Sequence, residues 1–198
     1  MIVWSSIGAV ATATPSFVDN GGTIRGATNA AGLRIDRLGS HYRAAITIGI
    51  GTANARAALI SDLIRAKQEG LRLPYPLMGV DQGAPGSPVM DGANQAGRVI
   101  NLRGLTPGYV AAKGYWLSIV AATGQHYLHN VHVAGTVGGD GKVTIILAEH
   151  LRVPFADGAT VKLATPVIEG EISGNEQSWQ LQRGNRVIGI GFTIEEMG

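Results

Sequence analysis

From Gly97 the sequence breaks into short apolar-alternating runs: "GRVINLRGL", "GYWLSIVA", "HYLHNVHVAGTV", "GKVTIILAE" and "ATVKLATPVIEGEI". Successive side chains on a strand point to opposite faces, so alternation of this kind builds sheets with one packed and one polar face. Glycine, asparagine and aspartate separate the runs, and Gly138-Gly139-Asp140-Gly141 is a hairpin loop signal. The chain holds 29 glycines with no collagen-like period, which supplies the tight turns such a topology needs. Short strands at this spacing predict a small antiparallel barrel.

Two further alternating segments frame this region. In the first, Tyr42, Ala44, Ile46, Ile48 and Ile50 share one face, opposite His41, Arg43, Ala45, Thr47 and Gly49. In the last, "RVIGIGFTIEEM", Ile188, Ile190, Phe192 and Ile194 share a face opposite Val187, Gly189, Gly191, Thr193 and Glu195. One strong helix follows the first segment: Leu59, Ile60, Leu63 and Ile64 recur at three- and four-residue spacing. Thr52 or Asn54 can cap its start, and Gly70 ends it. The stretch "PYPLMGVDQGAPGSP" (Pro74 to Pro88) has no period and reads as a connector.

The expected architecture is mainly β. Residues 1–76 with 168–198 would form an outer β-sandwich flanked by the helix, with residues 77–167 an inserted barrel. The closing segment is too short to fold alone, which argues that it completes the first unit. An insert whose ends lie close together is expected to be replaceable by a short linker, leaving the outer unit folded.

The order strand, Gly49-Ile50-Gly51, helix invites a dinucleotide reading, and that reading fails on two counts. The third small residue of the fingerprint falls on Asn54. The parallel strand required after the helix would have to be "LRLPYPLMG", whose prolines argue against a central strand. Imidazoles at His126, His129 and His132 could bind a metal only by converging, and alternation sends His129 to the opposite face from the other two. They read as solvent-facing or hydrogen-bonded sheet histidines. No G-x-S-x-G elbow occurs, and Glu149, Glu169, Glu171, Glu176, Glu195 and Glu196 nominate no catalytic pair. Glu195-Glu196 reads as a solvated strand end. No cofactor, metal or enzymatic signature emerges.

Composition narrows the remaining classes. With 45% hydrophobic and 15% charged residues the chain can bury a core. It has no cysteine, which excludes disulfides and thiolate chemistry and suits folding in a reducing cytoplasm. Sixteen Lys and Arg against 14 Asp and Glu leave a net charge of +2, without the clustered positive charge that phosphate binding needs. The opening "MIVWSSIGAVATATPSFVDNGG" has no basic leader and no membrane-length apolar run. We expect it to be mature sequence containing an early strand, and the protein to have no membrane partner.

Several phrases resemble the minor tail proteins of long-tailed bacteriophages. "GLRIDRLGSHYRAAITIGI" followed by a helix and "GLRLPYP" is similar to that family's core, with Asp36, Arg37, Gly39, Tyr42 and Arg43, then Pro74 and Tyr75, at the matching positions. "GYWLSI", "LHNV" and "KVTIILAEHLRVPFADGATVKLATP" resemble its inserted barrel, with Leu151, Arg152, Asp157, Gly158 and Val161 in the recurring phrase. The resemblance implies a distal tail protein or an adjacent tail-tip component. Its outer tail-tube-like unit would form a homohexameric ring joining the tail tube to hub or tip proteins, in the virion, after synthesis in the host cytoplasm. The barrel would be OB-like, and DNA would pass the lumen without specific binding. The alternative is a carbohydrate- or receptor-binding module, with Tyr109, Tyr115, Trp116 and Tyr127 as candidates for stacking on a glycan.

Overall fold

The computed structural model describes residues 1–5, 8, 10–25 and 31–197. The chain begins with strands β1 (Ile2–Val3), β2 (Val10–Val18), β3 (Gly22–Ile24), β4 (Leu33–Ile35), β5 (His41–Ile48) and β6 (Gly51–Thr52). Helix α1 (Ala53–Glu69) and β7 (Leu71–Pro74) follow. The central stretch holds β8 (Gly86–Met90), β9 (Val99–Leu105), β10 (Val110–Ala111), β11 (Trp116–Val120), β12 (His126–Val133), β13 (Gly135–Thr136), β14 (Val143–Leu147) and β15 (Val161–Lys162). The chain closes with β16 (Val167–Ile172), β17 (Gln180–Gln182), β18 (Arg186–Ile188) and β19 (Gly191–Glu196). Among the described residues the fold is mainly β, with one helix and a nearly closed barrel.

The barrel is the six-stranded sheet β15-β11-β12-β14-β9-β8. A bridge between Val89 and Thr160, with Met90 N–H donating to Ala159 O at 2.9 Å, draws its two ends together. Ile100, Leu102, Leu117, Ile119 and Ile145 fill it at 0–1% exposure, each burial contributing about 1.5–3 kcal/mol. Strand β8 lies at the end of the stretch expected to be a connector. Its register shifts between Gly86 and Val89, so Pro88 sits at an irregularity, where a residue without an N–H is tolerated.

The second large sheet has the order β1-β7-β16-β19-β5-β2, and it takes strands from both sides of the barrel in sequence. Tyr42, Ala44, Ile46 and Ile48 of β5 are buried, and share a core with Phe192 and Ile194 of β19, Ile168 and Ile172 of β16, and Leu71 and Leu73 of β7. Helix α1 covers part of this cluster through Leu63 and Ala66. Leu128 and Trp116 of the barrel pack into the same cluster. Gly170 is required where β16 meets β19, because a Cβ there would lie 1.9 Å from the Glu195 carbonyl oxygen.

Several local expectations are corrected. Ile50 is 69% exposed, because β5 ends at Ile48. Ile64 is 52% exposed, since the buried stripe of α1 runs through Leu63 and Ala66 instead. The closing segment is two strands rather than one. Gly189, at φ 70°, breaks it, so Val187 is buried in register with β6 while Ile190 and Phe192 enter the main core. "LRLP" does form a strand, β7, which ends at Pro74 and pairs with β16. Three antiparallel steps separate β7 from β5, so the two run in opposite directions and make no βαβ unit.

Candidate functional site

The densest polar chemistry lies along the seam between the barrel and the outer sheet. Strand β14 ladders with β12 only from Val131 onward. Upstream, the N–H groups of His126, Leu128 and Asn130 project from one edge of β12, at the two-residue period of a strand. Each meets a carboxylate. His126 N–H donates to Glu169 at 3.1 Å, Leu128 N–H to Glu196 at 2.7 Å, and Asn130 N–H to Glu149 at 3.4 Å. Three glutamates thus stand where a neighbouring strand would have supplied carbonyls. They come from β16, from the end of β19 and from the turn after β14.

All three are 2–5% exposed, and buried carboxylates require compensating donors. Glu169 also accepts from Arg72 Nε at 2.7 Å, and Arg72 donates onward to Gly124 O. Glu149 accepts from the Tyr42 hydroxyl at 2.7 Å and lies 2.8 Å from His129 Nδ1, which carries the hydrogen because a carboxylate only accepts. Burial, then the Glu149 charge, push the Tyr42 phenol far above its usual range. Glu196 accepts from Tyr42 N–H at 2.9 Å and pairs with Arg152 Nη2 at 2.7 Å, a close ion contact rather than an aligned hydrogen bond. The Arg152 guanidinium also lies over the Tyr127 ring, 4.9 Å from its centre. These carboxylates hold fixed donors from both sheets, so they serve as a polar latch. The expectation of a solvated Glu195-Glu196 edge fails for both: β19 lies between β16 and β5, Glu196 is buried, and the half-buried Glu195 is paired with Arg43 and then His41, which hold its carboxyl down to about 2.

The histidines divide. His132 is exposed, whereas His126 and His129 are buried rather than solvent-facing. Desolvation, reinforced by the Arg72 charge, pushes His126 below its ordinary value, and its Nδ1 has no hydrogen-bond partner. Among the described residues no three His, Asp or Glu side chains gather as a metal would require.

The four aromatic candidates do not form one exposed platform. Trp116 is held between Tyr42 and Tyr75, with ring centres 4.9 and 4.5 Å away. Tyr127 is buried edge-on against Phe155. Tyr109 and Tyr115 are half-buried, and their hydroxyls donate to the adjacent carbonyls of Gln82 and Asp81 at 2.6 and 3.4 Å. Burial pushes the Tyr109 phenol up to about 12.

The Gly49-Ile50-Gly51 bend has the wrong polarity for a phosphate. Its Gly49 and Ile50 carbonyls accept from Arg56 at 3.0 and 3.3 Å, whereas a phosphate cradle presents N–H groups. The helix start is already occupied: Ala53 N–H donates to Asn185 O, and Ala55 N–H to the Thr52 hydroxyl.

At one end of the seam a cleft of about 370 Å³ opens between Phe17, Asp19, Arg34 and the Asp36 to Ser40 turn on one side and the barrel rim at Arg98 and His150 on the other. Glu149 contributes to its wall and to the latch alike. Arg34 pairs with Asp19 at 2.6 Å and Asp36 at 2.9 Å, and Arg98 reaches Asp36 at 3.2 Å. Sequence reasoning missed both latch and cleft, because their members are scattered along the chain and carry no local spacing. Glu169 and Glu196 lie on strands and Glu149 on the turn after β14, so no common local spacing joins them. No family model and no curated protein sequence matches the chain.

Proposed function

We propose that this protein is a structural component of a phage tail tip, a distal tail protein whose outer sheet builds a hexameric ring and carries the barrel on its periphery. The observation that carries the reading is an unsatisfied assembly surface. Strand β2 is a nine-residue edge strand with no ladder on its outer side among the described residues. Beside it the β3–β4 hairpin exposes Ile24 at 59%, Leu33 at 64% and Ile35 at 38%. A long open edge next to exposed apolar side chains favours pairing with further copies. The polar latch supports the same reading, since a rigidly mounted barrel suits a structural part. In the assembled tail the ring would contact tube and hub proteins, and DNA would traverse the lumen weakly held.

Electron microscopy of the concentrated protein, alone and with tail-tube protein, tests this. Six-fold rings with an open centre are expected, and Leu33→Glu should abolish them while leaving the monomer folded. Particles that never close, or a stoichiometry other than six in an intact tail, would refute the proposal. The glycan-module alternative draws no support from Trp116 and Tyr127, whose rings are engaged by neighbours.

A further inference from the structure

We infer that the cleft between the β2–β5 end of the outer sheet and the barrel rim is a saccharide site with a preference for an acidic sugar. Its volume of about 370 Å³ sits at the lower end of the range for small-molecule sites, roughly 300–1,000 Å³, which suits a mono- or disaccharide. Three features of the wall choose the class. Phe17 stands at the cleft 48% exposed, its ring tilted against Tyr42 with centres 5.4 Å apart, and the exposed part of the ring can meet the C–H side of a sugar.

The polar groups are planar and already arranged as donor–acceptor pairs. Arg34 joins Asp19 to Asp36, and Arg98 joins Asp36 from the other side. Such pairs offer in-plane donors and acceptors side by side, matching adjacent ring hydroxyls, each of which donates and accepts. Because the pairs neutralise one another, they present no net field to a highly charged ligand.

The third feature is Arg37. Of the three guanidinium groups in the wall it alone has no hydrogen bond or ion pair among the described residues. Glu149, the remaining carboxylate, is 5% exposed and engaged by Tyr42 and His129, so it does not cancel Arg37. An unpaired planar fork recognises a carboxylate bidentately. The ligand is therefore a pyranose carrying one carboxylate. This assignment uses none of the ring contacts proposed above and stands apart from them.

The test is ligand-observed NMR titration of the full chain with methyl galactopyranoside and methyl galacturonide, which differ only in the carboxylate. Saturable binding of both is expected. The acid should bind roughly tenfold more tightly at low salt, as a hydrogen bond to a charged group allows. Arg37→Ala should bring the two affinities together without altering the melting temperature, and Arg37→Gln serves as a second variant if the alanine protein misfolds. Phe17→Ala should weaken both sugars. Absence of saturable binding, equal affinities in the unaltered protein, or a preference that survives both Arg37 variants would each overturn the assignment.

Discussion

Replacing Glu196 with methionine probes the latch at its most buried point. The Glu196 side chain is 1% exposed and faces Arg152 at 3%, so the substitution keeps the volume and strands a buried cation. Breaking such a pair from one side costs about 3–5 kcal/mol. Tyr42 N–H and Leu128 N–H lose their acceptor as well, at about 1–3 kcal/mol each where nothing replaces it. These costs overlap, and a loss of at least about 4 kcal/mol follows, against a typical total of about 5–15. For a chain of this size, that corresponds to a fall in melting temperature of roughly 8–16 °C. Urea titration followed by far-ultraviolet circular dichroism measures it. Glu196→Met combined with Arg152→Met removes both charges, at the cost of the Arg152 contacts with the Tyr127 ring and the Met197 carbonyl, and the double variant should still be more stable than Glu196→Met alone. A single variant within about 1 kcal/mol of the parent, or a double variant at least as unstable as the single, would show that the seam is held by apolar packing and not by the latch.

The remaining expectations concern the same framework. His126 is buried and pushed below its ordinary value, so below about pH 6.5 the unfolded chain binds a proton that the folded chain resists. Stability should therefore fall as the pH drops through that range, and His126→Leu should flatten this part of the profile in denaturant titrations at stepped pH. Glu195 has the same sign in a lower window: its contribution is present above the ordinary carboxylate range and is lost as pH falls towards about 2. Gly170→Ala should abolish soluble folded protein or lower its melting temperature steeply, because the added carbon collides with the Glu195 backbone; an unchanged melting curve would contradict the close crossing of β16 and β19. Gly51→Ala should displace the Arg56 guanidinium, which would lie 2.5 Å from the new carbon at Nε; a modest stability loss with no saturable ATP or NAD binding in either protein is expected by calorimetry. Replacing residues 77–167 by a Gly-Ser linker should destroy cooperative unfolding of the outer sheet, because Leu128 and Trp116 leave its core and Glu169 and Glu196 lose donors. That reverses the expectation drawn from insertion alone.

What the sequence determined by itself was local and periodic. Alternation marked β5, β9, β12 and β14, three- and four-residue spacing marked α1, and Thr52 and Gly70 marked its ends, because these signals depend only on neighbours along the chain. The failure of the dinucleotide reading was also legible, although the deciding reason is the reversed direction of β7 and the carbonyls turned towards Arg56. The seam was not legible. An alternating strand pattern says which side chains point together, but not which N–H groups on its edge will go unpaired. The unpaired edge of β12 arises because β14 departs at Val131, and it is answered by glutamates 43, 68 and 19 positions away. Only tertiary structure decides such pairings, because a buried carboxylate is tolerated solely where the whole fold delivers its donors.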